Sequence, residues 1–189
     1  MFDLPVENSE QNKFFLRRAY RVADMQSDDP KSKIGVALFR KELNNYLTKG
    51  VGANHLDRSR LTAEEIERID TLVLDSAWKY KHMMHAEDTA ISRAKELGLY
   101  EPGLSMAMPW IPCGGHEASG TQDKDCAKLM YEQGIAKLVT DLPFIERTPD
   151  RWVDSLQCAV DYLTQHGVEI VTVTDRIGGV KSTFNNEVW

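Results

Sequence analysis

Residues 33–39 carry apolar or small side chains on both alternating faces, with Ile34, Val36 and Leu38 on one and Gly35 and Ala37 on the other. A strand of this kind has no face for water, so it must lie inside a layered sheet with cover above and below. The neighbouring segments supply a partner and the cover. Lys41 to Asn45 reads as a turn, and Tyr46 to Asn54 returns as a second strand, making a hairpin. Before it, residues 10–27 repeat Phe15, Ala19, Val22 and Ala23 at helical spacing, with Ser9 as a cap and Asp28-Asp29-Pro30 as a stop.

Beyond the hairpin, Thr62 and Glu65 form a capping-box pattern, and Ile66, Ile69, Val73, Ala77 and Tyr80 extend it, predicting a helix over 62–81. A second helix is predicted over 86–97, with Ala86, Ala90, Ala94 and Leu97 on one face and Gly98 at its end. Strands are expected at 104–109, 136–140 and 168–173, and helices at 125–133 and 150–166. Cys158, beside Leu156 and Ala159, reads as a core position on the last helix. This order predicts an α/β fold, a three-layer α/β/α sandwich on a mixed five-stranded sheet. No repeat or long linker divides residues 1–189, so one domain is expected. Residues 175–189 are polar apart from their end and read as an arm that packs on a neighbour.

Charge and cysteine usage narrow the function classes. The net charge is −6, whereas a grip on a polynucleotide backbone calls for a basic surface. A small molecule is therefore the expected partner. Three cysteines do not make an even disulfide framework, so reduced thiols in a cytoplasmic compartment fit better. No stretch approaches the roughly 18 apolar residues of a membrane span, and the first residues lack the basic and apolar pattern of a secretory signal.

Two segments carry chemistry. His85-Ala86-Glu87 opens one predicted helix, and Pro112-Cys113 is followed by Cys126 at the start of another. One imidazole and two thiolates can hold zinc while leaving a fourth position for water, whose pKa falls toward ~7. Thiolates are favoured at helix N-termini. Glu87, two residues past His85, can face the same cavity without ligating the metal and carry protons.

The pattern H-x-E followed by P-C and a second cysteine resembles the cytidine and deoxycytidylate deaminase superfamily. Within it, Asp29-Pro30-Lys31-Ser32-Lys33-Ile34-Gly35-Val36 is similar to the D-P-S-T-x-V-G-A of the deoxycytidylate deaminases. Gly50-Val51-Gly52-Ala53-Asn54 resembles their G-x-G-Y-N, and His85 to Ile91 matches H-A-E-x-N-A-I except at Thr89. Cys126-Ala127-Lys128-Leu129 with Gly134-Ile135 is similar to C-A-K-x-I-x-x-x-G-I. The resemblance runs from about residue 12 to residue 173. It implies zinc on His85, Cys113 and Cys126, proton transfer by Glu87, and hydrolysis of dCMP to dUMP and ammonia. It also implies an oligomer, often a hexamer, with deoxycytidine and thymidine triphosphates as effectors.

The departure lies between the cysteines. The family places two residues there; this chain has residues 114–125, twelve in all, polar and glycine-containing as a surface loop would be. A loop of that length can leave both ends in place. The riboflavin-pathway pyrimidine deaminases, a related branch, also carry an insertion with histidines. His116, inside the loop, is an alternative ligand to Cys126. For the substrate, the resemblance points to Asn54, with Ala86 beside the catalytic pair. Trp110 stands in W-I-P-C where polynucleotide cytidine deaminases have W-S-P-C, and could stack on a base. Lys33, with Lys31, Arg58 and Arg60, is a candidate for a substrate phosphate. Three other readings stay open: a deaminase of another nucleotide, nucleoside or riboflavin-pathway pyrimidine; a polynucleotide-editing deaminase; and a catalytically silent nucleotide-binding module.

Overall fold

A computed structural model describes residues 2–42, 45–114 and 125–188. Strands β1 (Gly35–Glu42) and β2 (Asn45–Ala53) form the expected hairpin. Strands β5 (Ser105–Ala107), β6 (Lys137–Asp141) and β7 (Glu169–Val173) complete a mixed sheet in the order β2-β1-β5-β6-β7. β1 is antiparallel to both neighbours, whereas β5, β6 and β7 are mutually parallel. Val36, Ala37 and Leu38 are fully buried, as a strand covered on both faces requires.

The two covering layers follow from the alternation. Helix α1 (Glu10–Gln26) packs on the face bearing Gly35 and Phe39, where the rings of Phe15 and Phe39 stack with centroids 3.9 Å apart. Helix α5 (Ala86–Glu96) packs on the opposite face of the hairpin, against Gly50 and Gly52. Helices α6 (Cys126–Glu132) and α8 (Asp150–Gln165) extend that layer, α6 touching both α5 and α8, and α8 touching β7. The fold is therefore the α/β/α sandwich on a mixed five-stranded sheet. Ser9 caps α1 by accepting from the Asn12 amide at 3.1 Å.

Three local expectations change. The helix expected over 62–81 is three short ones, α2 (Ala63–Glu67), α3 (Ile69–Leu72) and α4 (Ser76–His82). Its capping box forms at Thr62 and Glu65, with bonds of 2.9 and 3.2 Å. However, no residue of α2 or α3 is buried, so no packing holds a long helix together. Asp75 instead caps a new start by accepting from the Trp78 amide at 3.0 Å. Cys158 is exposed, because the buried stripe of α8 runs through Ser155, Leu156, Ala159, Val160 and Leu163 and passes it by. The tail folds onto its own chain. Strands β8 (Thr183–Phe184) and β9 (Glu187–Val188) pair across Asn185 and Asn186, whose positive φ angles of 52° and 68° suit a tight hairpin turn. Phe184 is 4% exposed and packs on Phe144 and Trp110. The Lys33 amide donates to the Thr183 carbonyl at 2.8 Å, and the Asn186 amide to that of Lys31 at 2.9 Å.

Candidate metal centre and its cleft

The centre is assembled from three segments. His85 is the residue before α5, in extended conformation, and its carbonyl accepts from the Thr89 amide and hydroxyl, each at 3.0 Å. Asn54, at the end of β2, fastens this helix start: its Oδ1 accepts from the Ala86 amide at 3.2 Å, and its Nδ2 donates to the Ser32 carbonyl at 3.3 Å. Glycine at 52 lets α5 lie directly on β2, since a Cβ there would sit 2.4 Å from the Ala90 nitrogen. Cys113 follows β5 and is fixed from α8. Ser155 Oγ accepts from the Gly114 amide at 3.2 Å and donates to the Gly114 carbonyl at 2.8 Å. Cys126 begins α6, where Asp125 caps the helix and the Ala127 amide donates to the Cys113 carbonyl at 3.1 Å.

The result is one compact donor set. The ligand atoms of His85, Cys113 and Cys126 lie within 4.8 Å of one another. His85 Nδ1 sits 3.2 Å from Cys126 Sγ and 3.4 Å from Cys113 Sγ, so one ring nitrogen faces both thiols. An imidazole nitrogen and two thiols converging in a largely buried space are what tetrahedral zinc requires of three protein ligands. Hydrogen bonding with Cys126 and the nearby His85 lower the Cys113 thiol well below its ordinary range, whereas the same interaction with Cys113, together with burial, pushes Cys126 up. Cys126 thus joins the centre although twelve residues separate it from Cys113. His116 lies outside the described residues, as does most of the insertion.

Glu87 is 3% exposed and stands against Cys126 and near His85 and Cys113. Burial pushes its carboxyl up to about 7, the charge of His85 opposing and that of Cys113 adding. A carboxyl poised near neutrality both accepts and releases a proton readily. Ala86 is fully buried beside it.

His85 and Cys113 form part of a cleft open to solvent. Asn54 and Trp110 line it. Trp110 is held by its Nε1 donating to Thr148 Oγ1 at 2.8 Å, and it meets Trp152 edge-on at 6.1 Å. The basic candidates are elsewhere. Lys33 reaches the carbonyl of Asp24 at 3.1 Å and its carboxylate at 3.4 Å, and is not part of the cleft wall. Lys31 donates to the Leu74 carbonyl, Arg58 faces Asp28 and Arg60 faces Asp57. Sequence reasoning missed Asp29, Lys79, Trp152, Arg151 and Asn185, which do line the cleft. Asp29 had its signal in the D-P motif, and Asn185-Asn186 is a turn pair; the others carry none.

Residues 9–142 match the family described as the cytidine and deoxycytidylate deaminase zinc-binding region. The chain belongs to this family. Its zinc-binding character agrees with the His85, Cys113 and Cys126 group. No curated protein matches the chain. Among solved structures, the chain is similar to the dCMP deaminase of cyanophage S-TIM5. The apo form gives TM-score 0.52 at 16% identity over 88% of this chain and 99% of that one. The complex with dCMP and dUMP gives 0.54 at 16% identity, over 88% and 98%. It is also similar to the diaminohydroxyphosphoribosylaminopyrimidine deaminase/5-amino-6-(5-phosphoribosylamino)uracil reductase of Thermotoga maritima, with TM-score 0.55 and 18% identity over 85% of this chain. The chain spans 36% of that protein's length. Among the described residues, no helix is long and apolar enough to cross a membrane.

Proposed function

We propose that this deaminase hydrolyses the exocyclic amine of a free cytosine nucleotide, with dCMP going to dUMP and ammonia. The observation that carries the reading is the convergence of His85, Cys113 and Cys126 at one cleft, with the buried Glu87 beside them. His85, Cys113 and Cys126 would hold the zinc, which when bound is a Lewis acid that makes water nucleophilic at neutral pH. Glu87 takes a proton from the attacking water and delivers it to ring N3 as C4 becomes tetrahedral, then takes the remaining hydroxyl proton and passes it to the amine, which leaves as ammonia when the C4–N bond breaks and the C4 carbonyl forms. Glu87 is buried, so its carboxyl is shielded from bulk water. Trp110 and Trp152 wall the cleft with surfaces on which a pyrimidine can stack. Asn54 holds the start of α5, and with it Ala86 and Glu87, against the cleft. The similarity to a dCMP deaminase solved with dCMP and dUMP supports the choice of nucleotide.

A second reading is deamination of a riboflavin-pathway pyrimidine. The long insertion between the cysteines and the likeness to the Thermotoga protein favour it. Homo-oligomeric assembly, triphosphate effectors and a reducing, cytoplasmic setting for the thiols belong to the proposal as well. The test is ammonia release by zinc-quantified protein with dCMP, CMP, dCTP, deoxycytidine and a diaminopyrimidine nucleotide. Turnover of dCMP is the expected result. Zinc at one per chain with turnover of the diaminopyrimidine alone would establish the second reading, and turnover of none would overturn both.

A further inference from the structure

We infer that Arg151, braced by the C-terminal hairpin, reads a single phosphate on the substrate, so that the cleft selects a nucleoside monophosphate. The inference rests on the proposed nucleotide deamination and names the group that recognises the phosphate. Besides the metal centre's own residues, the charged side chains lining the cleft are Asp29, Lys79 and Arg151. Asp29 and Lys79 neutralise one another at 2.8 Å with side chains 6% exposed. Asp29 also accepts from the amides of Lys31 and Ser32. That pair has no charge to spare for a ligand.

Arg151 differs in each respect. It is exposed, and among the described residues it pairs with no carboxylate. Its hydrogen bond goes to a neutral group, Asn185 Oδ1, at 3.4 Å. Asn185 is itself anchored in the hairpin turn, where its amide donates to Ser32 Oγ at 3.1 Å. The cleft therefore offers an uncompensated guanidinium beside the tryptophan walls, with donors remaining for a partner. A planar fork of donors matches a phosphate monoester, which can accept two of its hydrogen bonds at once. One such cation suits one phosphate. The tail expected to reach a neighbour thus acts as a strut of its own substrate cleft, with Asn185 as the positioning residue.

Binding is read on the zinc-loaded protein with dUMP, deoxyuridine, dUTP and a short single-stranded oligodeoxynucleotide, by calorimetry. The expected result is that dUMP binds about 10- to 100-fold more tightly than deoxyuridine, and that Arg151→Gln removes this advantage without altering deoxyuridine. Asn185→Ala should reduce it several-fold, and Arg151→Lys should restore part of it. Thermal melts of each variant exclude unfolding as the cause. Equal affinity of wild-type protein for dUMP and deoxyuridine, no binding of either, or tighter binding of dUTP or the oligonucleotide than of dUMP would overturn the inference. The two proposals fail separately. Loss of dUMP affinity in Arg151→Gln with no deamination of any cytosine nucleotide would sink the reaction and keep the phosphate site. Equal turnover of deoxycytidine and dCMP would do the reverse.

Discussion

Replacing Gly52 by alanine tests whether the close seating of α5 on β2 holds the centre together. A Cβ at this position would lie 2.4 Å from the Ala90 nitrogen, 2.6 Å from the Ala86 oxygen and 2.8 Å from the Ala90 Cα. All three are backbone atoms, so no side chain can swing aside. Strand and helix must part by about 1 Å to reach ordinary contact distance. Overpacking of this kind costs roughly 1–3 kcal/mol, and rigid neighbours place it near 3. For a chain of 189 residues that lowers Tm by roughly 6–12 °C. The helix that moves begins at Ala86 and carries Glu87, with His85 just before it, whereas Cys113 and Cys126 are held by α8 and α6. A shift of about 1 Å between the halves of the centre should therefore also weaken metal retention and cut turnover on the order of 100-fold. The assay is a thermal melt, a chelator-competition titration and ammonia release on the same preparations. Gly178→Ala is the control, because nothing lies within 4 Å of a Cβ there, and it should stay within about 0.5 kcal/mol of the parent. A Gly52→Ala protein that melts, holds zinc and turns over like the parent would refute the reasoning.

Glu87→Gln should retain one zinc per chain and lose turnover by at least ~10²; activity within ten-fold of the parent removes Glu87 from proton transfer. Asp141 makes stability depend on pH in the unusual direction. Burial raises its carboxyl from 3.8 to about 6, with Tyr20 bonded at 2.5 Å and Arg147 opposing the shift, so the native state prefers the protonated form. The stabilisation, about 3 kcal/mol, is complete below pH 4 and lost as pH rises through 6. Denaturant midpoints between pH 4 and 7 should show this dependence vanish in Asp141→Asn, and an unchanged slope would contradict it. Lys79→Met strands the Asp29 carboxylate beside the cleft and should cost about 3–5 kcal/mol. Adding Asp29→Asn should recover much of that in a denaturation cycle; additive losses would mean that the pair is not coupled.

The order of elements was legible because strand and helix periods are local. Ile34, Val36 and Leu38 alternating with Gly35 and Ala37 demand two covering layers wherever the strand pairs, and the helices at 10–26, 86–96 and 150–165 supply them. The candidate donor set of His85, Cys113 and Cys126 was legible as a grouping because metal chemistry permits few residue types, and helix starts announce themselves through caps and prolines. The 62–81 segment was misread because an apolar repeat specifies a helix only if something packs on it, and Ile66 is 45% exposed. Cys158 was misread because its place relative to the buried stripe of α8 depends on how the helix is rotated against β7 and α6.

Sequence alone thus determined the layered α/β architecture and the residue types of the candidate centre, both of which follow from residue type and short-range spacing. Tertiary structure decided that the thiol beyond the twelve-residue insertion still meets His85, that Lys33 turns to Asp24, and that Arg151 and Asn185 come to the cleft from α8 and the folded-back tail. Those placements depend on pairing and packing between segments far apart in the chain, and no local pattern of side chains encodes the distance between them.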